Sequence, residues 1–209
     1  RAAISRAVDG ARTLAVVPHE RRILHVLPRE FMVDDQAGVR EPLGMSGNRL
    51  EVNVHVITGA VSSAQHTIKR VDRAGLDVVD IILQPLASSE AVLSAEEREL
   101  GVAMVDLGGG TTDLAIFLDG SIRHTAVLPI GGQNLTKDLA IGLLTSQTDA
   151  EKIKVQHGIA RTELVHGHQM VEVPSVGDRP PRQFTRRDIA EILEPRVEEM
   201  FDLVKREIV

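Results

Sequence analysis

Three consecutive glycines set between two apolar runs constrain this chain more than any other feature. The stretch reads Val105-Asp-Leu-Gly-Gly-Gly-Thr-Thr-Asp-Leu-Ala-Ile116. Apolar residues on both sides predict two strands. Gly108, Gly109 and Gly110 predict a tight turn between them. With no side chains over it, such a turn can approach an anion closely and donate several backbone N–H groups to it. Thr111 and Thr112 add hydroxyl donors. Asp106, at the end of the first strand, is placed to hold a Mg²⁺ ion directly or through water. Triple glycine alone reads as a plain hairpin turn; the Asp before it and the Thr-Thr-Asp after it point to phosphate. The Gly-Lys-Ser/Thr of a P-loop is missing. A strand rather than a helix follows the glycines, which sets aside the dinucleotide fingerprint.

What surrounds this turn is bounded by composition. At 209 residues the chain exceeds one typical domain, which is about 150 residues. It is 43% hydrophobic and 26% charged, enough to bury a real core. The absence of Cys excludes disulfides, thiolate catalysis and Cys-ligated metals. Four Phe with no Trp or Tyr argue against base-stacking recognition of single strands. Thirty acidic against 24 basic residues leave no broad basic footprint for nucleic acid. No apolar run approaches the roughly 18 residues of a membrane-spanning helix. Arg1 opens directly into a helical pattern, and residues 195–209 run on helically without a closing cap or Gly. Both ends read as cut, so an internal fragment of a longer protein is expected.

The local pattern reads as α/β. Ile4, Val8, Ala11 and Leu14 mark one helix face over residues 1–15. Strands are predicted at Arg21–Leu27, Glu30–Val33 and Arg49–Thr58, with a loop over Asp34–Gly47. In the last strand Leu50, Val52, Val54 and Val56 share a buried face, opposite Glu51, Asn53 and His55. A helix over 60–74 ends at Gly75, a short strand is predicted at Val78–Leu83, and a helix follows over Ala87–Leu93. Gly101–Leu107 reads as a buried strand. Asp113–Leu118 and Ser121–Val127, joined by Asp119-Gly120, make a hairpin. Helices are predicted at Asn134–Leu144, Thr148–His157 and most of 185–209, with Pro195 in a first turn. Val171–Val173 is a short strand, and Ser175–Arg182 a Pro/Gly loop.

The run Asp106-Leu-Gly-Gly-Gly-Thr-Thr-Asp113 resembles the second phosphate-binding hairpin of the actin, Hsp70 and sugar-kinase superfamily. Four longer stretches are similar to the FtsA family of bacterial cell-division proteins. They are Glu99-Leu-Gly-Val-Ala-Met-Val-Asp-Leu-Gly-Gly-Gly-Thr111, Ser121-Ile-Arg-His-Thr-Ala-Val-Leu-Pro-Ile-Gly-Gly132, Asp149-Ala-Glu-Lys-Ile-Lys-Val-Gln-His-Gly158 and Val173-Pro-Ser-Val-Gly-Asp-Arg-Pro-Pro-Arg182. The resemblance runs over essentially the whole chain. It implies part of an actin-like ATPase fold with an α+β insert. Residues 1–59 would be most of an inserted 1C-type (SHS2) domain and 60–99 the return into subdomain 1A. Residues 100–148 would be subdomain 2A, and 149–209 the start of 2B. The family's first phosphate hairpin would precede Arg1, and its amphipathic membrane helix would lie beyond Val209.

The same resemblance implies function. An FtsA-like protein binds ATP with Mg²⁺, forms filaments at the cytoplasmic face of the cell membrane, tethers FtsZ and recruits later division proteins, in part through 1C. Another actin-like ATPase, PilM-like, MreB-like or an Hsp70- or sugar-kinase-type enzyme, is the competing reading. Hydrolysis would rest on Gln84, which sits where the superfamily places a polar residue that orients water; it also reads as an ordinary strand-end residue. Gly131 and Gly132 would expose free N–H groups at a helix start to an anion, or simply form a turn and N-cap. Glu151 and Lys154 share one helix face. Spacing alone makes them a surface pair; the resemblance implies contact with ribose and adenine. Arg179 and Arg182 lie in the only basic cluster. In an FtsA-like protein they would receive the acidic C-terminal tail of FtsZ. His166 and His168 read as a surface loop rather than a metal site.

Overall fold

The computed structural model describes residues 1–177 and 179–209. Asp178, within the Val-Gly-Asp-Arg motif, lies outside the described residues. The chain forms two compact units, residues 1–104 with 115–125, and 105–114 with 126–209.

In the first unit, helix α1 (Ala2–Leu14) precedes an antiparallel sheet of order β2-β1-β3. Its strands are β1 (Arg21–Val33), β2 (Gln36–Val39) and β3 (Leu50–Ala60). The two strands expected over 21–33 are one. Pro28 has no N–H to give the ladder, and the register shifts beside it, between Pro28 and Glu30, keep the strand continuous. Strand β2 falls inside the expected loop. An Asp34-Asp35 turn makes the hairpin: Asp34 is left-handed at φ 50°, and its carboxylate accepts the N–H groups of Asn48 and Arg49 at 2.9 and 2.8 Å. Phe31, Val33 and Val39 form the core here, with Ile4, Leu50 and Val52 packed against it. Strand β3 does not keep one clean buried face. Ile57, on the His55 side, is its buried residue, and His55 itself is half-buried against Thr125, 3.1 Å away.

Helix α2 (Val61–Arg73) is followed by Gly75 in left-handed geometry at φ 78°. The strand expected at Val78–Leu83 does not form. A strand exists only with a ladder partner, and no described residue pairs with this segment; Val79 is 99% exposed. The segment ends where the Leu83 N–H donates to His25 Nε2 at 3.1 Å. Helix α3 (Gln84–Val92) carries Pro85 in its first turn. An unforeseen helix, α4 (Ala95–Leu100), starts at a capping box between Ser94 and Glu97.

Strands β4 (Val102–Leu107), β5 (Thr112–Leu118) and β6 (Ser121–Leu128) form one sheet, with β5 central. Positive φ at both Asp119 and Gly120 makes the β5–β6 connection the tight two-residue turn expected. Met104, Ala115, Phe117 and Ile122 are its buried cluster in the first unit.

The second unit holds α5 (Gly132–Gly142), α6 (Gln147–His157), the hairpin of β7 (Met170–Val173) and β8 (Arg182–Thr185), and α7 (Arg186–Ile208). Its core joins Leu139 of α5 and Leu143 at its C-cap with Ile153 of α6, Val171 and Val173 of β7, and Ile189 and Leu193 of α7. Pro195 is not in a first turn. It sits inside the 23-residue α7, where it removes one backbone donor. The helix starts earlier, at a capping box between Thr185 and Asp188.

Candidate functional site

The glycine turn is closed by one hydrogen bond, from the Gly108 N–H to the Thr111 carbonyl at 2.9 Å. Gly109, Gly110 and Thr111 are exposed at its tip. The N–H groups of Gly109 and Gly110 donate to no acceptor among the described residues. They are the donors the turn presents. The two hydroxyls are already engaged. Thr111 Oγ1 donates to Asp113 Oδ2 at 3.1 Å, and Thr112, fully buried, donates to the Ile130 carbonyl at 2.8 Å. Strand alternation explains the difference: neighbouring residues point to opposite faces, so the two threonines cannot both look outward. Thr112 therefore supports the turn from within rather than facing a ligand. Asp113, the last residue of the Thr-Thr-Asp run, is 4% exposed and serves as the structural partner of Thr111 rather than facing phosphate. The signal for that pairing was its position two residues from Thr111 on the same strand face.

Gly131 and Gly132 are brought directly against this turn, but not as expected. The Gly132 N–H donates to the Gly108 carbonyl at 3.0 Å and the Gln133 N–H to the Gly109 carbonyl at 2.7 Å. The Gly131 N–H is taken by Asn134 Oδ1 at 3.1 Å, and the Asn134 N–H by the Gly131 carbonyl at 2.9 Å. The first donors of α5 are thus given to the turn and to their own cap, not offered to an anion. What the glycines provide is close approach. A Cβ on Gly131 would stand 2.6 Å from the Gly108 carbonyl oxygen and 2.7 Å from that of Gly109.

Helix α6 completes the site. Ser146 caps it by accepting the Asp149 N–H at 3.1 Å. Two turns on, Lys154 Nζ donates to the Gly132 carbonyl at 3.0 Å, to Thr136 Oγ1 at 2.9 Å and to Glu151 Oε2 at 2.8 Å. Thr136 Oγ1 also contacts Glu151 Oε2 closely. The hydrogen bond from Lys154, then that from Thr136, holds the Glu151 carboxyl below its usual range. Glu151 and Lys154 are therefore not a free surface pair; they tie α6 to the start of α5. A cleft of about 520 Å³ opens here, lined by Gly109, Gly132, Gln133, Thr136, Glu151 and Lys154 among others. Thr136 and Gln133 were missed in the sequence. Thr136 could have been found from its place one helical turn after Gly132.

The remaining candidates fall elsewhere. Gln84 opens α3 in the first unit, whereas the turn, α5 and α6 belong to the second. Asp106 is half-buried in β4, two residues before the turn. No group of three His, Cys, Asp or Glu able to hold a metal occurs among the described residues. An ion at Asp106 would be completed by water and ligand oxygens, as Mg²⁺ accepts. Arg179 is exposed, and it lines a second cavity of about 570 Å³ with Ala140, Leu144, Val176, Pro180 and Arg182. Arg182 is committed to the fold. It donates to the carbonyls of Leu143 and Leu144 at the end of α5, and its guanidinium lies 5.2 Å from the Phe184 ring centre. Arg186 does the same for α6 through the His157 carbonyl at 3.1 Å. Cations suit helix C-termini because the dipole is negative there.

The family described as Cell division protein FtsA matches residues 103–206, and the SHS2 domain inserted in FTSA matches residues 1–58. The chain is 51% identical to the cell division protein FtsA of Pseudomonas aeruginosa over 205 residues. That alignment covers 98% of this chain and 49% of the relative. Identity to the Escherichia coli K12 protein is 47%, and to the Bacillus subtilis protein 40%, again over 98% of this chain and 49% and 46% of theirs. The chain thus spans about half the length of the curated relatives it matches. Among solved structures, it is similar to the PilM-PilN type IV pilus biogenesis complex, with a TM-score of 0.63 at 17% identity over 98% of this chain and 49% of that one. It is also similar to MreB5 of Spiroplasma citri bound to ADP, with a TM-score of 0.55 at 22% identity over 72% of this chain and 48% of that one.

Proposed function

The chain belongs to the FtsA family of cell division proteins and carries part of an actin-like α/β fold with an SHS2 insert, and we propose that it binds ATP with Mg²⁺ at the glycine turn. One observation carries this reading. Gly109 of the turn, the start of α5 and the Glu151–Lys154 pair of α6 border a single cleft, and the Gly109 and Gly110 N–H groups are unspent at the exposed tip of the turn. The fit is favourable on the chain's own terms. Two unspent donors suit phosphate oxygens, a carboxylate suits sugar hydroxyls, and Asp106 suits a hydrated Mg²⁺. The Spiroplasma citri protein of similar fold is solved with ADP and with AMPPNP.

In this reading Gly109 and Gly110 receive phosphate, Gly108 keeps the turn tight, and Gly131 and Gly132 brace it from behind. Thr111 and Thr112 hold its strand in place. Glu151 meets the ribose, with Lys154 beside it. Bound Mg²⁺ would neutralise phosphate charge next to Asp106. Gln84 is kept as the residue that orients a water for hydrolysis.

The rest of the proposal follows from family membership. The protein forms filaments at the cytoplasmic face of the membrane and tethers FtsZ, whose acidic tail meets Arg179. The insert at residues 1–59 recruits later division proteins; the family match to residues 1–58 supports that extent. Residues 60–99 return to 1A, 100–148 form 2A and 149–209 begin 2B. No described helix is long and apolar enough to cross a membrane, and membrane attachment is assigned to a C-terminal amphipathic helix outside these residues.

Calorimetry of ATP binding with and without Mg²⁺, on the protein expressed from its intact gene, tests the site. Asp106→Ala is expected to lose the Mg²⁺-dependent part of the affinity, about tenfold. Equal Mg²⁺ dependence in mutant and wild type would refute the role of Asp106. No binding by the wild type would refute the nucleotide reading.

A further inference from the structure

We infer that Thr136 is a positioning residue: it fixes Lys154 and Glu151 so that the Glu151 carboxylate is preset as the acceptor for a ligand hydroxyl. The inference rests on the nucleotide reading above and deepens it. What it adds is the group that holds the proposed sugar-facing carboxylate in place.

A count of donors and acceptors carries it. A lysine ammonium has three N–H groups. Those of Lys154 have three acceptors within 3.0 Å: the Gly132 carbonyl, Thr136 Oγ1 and Glu151 Oε2. None is left for a ligand. The Thr136 hydroxyl has one proton and receives one bond from Lys154. The Gly132 carbonyl, 3.1 Å away, is a neutral acceptor, so the proton is best used on the nearer, charged Glu151 Oε2. Every bond to the carboxylate among the described residues therefore falls on Oε2. Oε1 keeps its acceptor capacity on a side chain that lines the cleft and is half exposed. An ionised carboxylate only accepts. With the adjacent ammonium already paired to it, this corner repels phosphate and favours a neutral O–H donor. Lys154, which the resemblance marks as a ligand contact, acts instead as the clamp.

Removing the hydroxyl alone isolates the effect. The protein expressed from its intact gene is titrated with ATP, 2′-deoxy-ATP and 3′-deoxy-ATP, as wild type, Thr136→Val and Thr136→Ser. Glu151 is followed in parallel by carboxyl NMR across acid pH without nucleotide. The wild type should prefer ATP over at least one deoxy form. In Thr136→Val that preference should fall about tenfold, as expected for hydrogen bonds to a charged group. The Glu151 titration should also move up toward the ordinary carboxylate range. Thr136→Ser should restore both. If Thr136→Val does not fold, Thr136→Ala is read in the same two measurements. Loss of the hydroxyl with both readouts unchanged overturns the inference, and so does a wild type that binds ATP and both deoxy forms equally. A wild type that binds no nucleotide overturns the nucleotide reading itself.

Discussion

A single methyl group added at Gly131 would collide with two backbone oxygens of the glycine turn, at 2.6 and 2.7 Å. Neither oxygen sits on a flexible side chain, so the backbone itself would have to yield. Gly131→Ala is expected to destabilise the protein by about 2 kcal/mol, the usual cost of overpacking. Gly110→Ala, with nothing within 4 Å of the added carbon, is expected to change stability by under about 0.5 kcal/mol. Urea unfolding of both variants checks this, and equal losses would show that Gly131 is not a packing contact. At this scale the sequence carried the residue types but not their bookkeeping. The glycines, Asp106, Glu151 and Lys154 were all legible as motif positions. That the Thr112 hydroxyl goes to Ile130, and the first N–H groups of α5 to Gly108 and Gly109, was not. Which acceptor wins a donor is decided by tertiary distance, which no local pattern encodes.

Elements were legible where a local device marks them. The Asp119-Gly120 turn, the Gly75 stop and the periodic helices α1, α2, α5 and α6 all follow from short-range chemistry. Helix α4 carries such a device as well, the Ser94–Glu97 capping box, but it went unforeseen because its six residues are too short to show a period. Val78–Leu83 fails for the opposite reason, because an apolar run cannot state whether a ladder partner exists. Strand β8 and the cap at Arg182 belong together: the strand begins where the guanidinium reaches the end of α5. Arg182→Ala is therefore expected to cost about 1 kcal/mol, through lost helix capping and lost contact with Phe184. Lysine should recover only part of this, since it lacks the planar fork of donors. Thermal unfolding of the two variants measures it, and an Ala variant as stable as wild type would deny Arg182 its capping role.

At the scale of the whole molecule, the residues bordering the proposed nucleotide cleft come from one compact unit, while Gln84 lies in the other. In the proposed reading, binding and hydrolysis therefore draw on different parts of the chain and can be separated by mutation. The proposed partner contact can be tested apart from the fold, because Arg179 is exposed while Arg182 holds α5. Arg179→Glu is expected to weaken an acidic FtsZ tail peptide severalfold, with thermal stability unchanged. Fluorescence anisotropy with the tail peptide measures this; undiminished affinity would remove Arg179 from the interface. The bonds that use up the first donors of α5 have a mechanical meaning as well. The turn is fastened to α5 by two hydrogen bonds, and α5 to α6 by two from Lys154, to Gly132 and Thr136. A pull on the tip at Gly109 is passed on to Lys154 without slack, so turn and helices behave as one linkage rather than as a loose flap over a pocket.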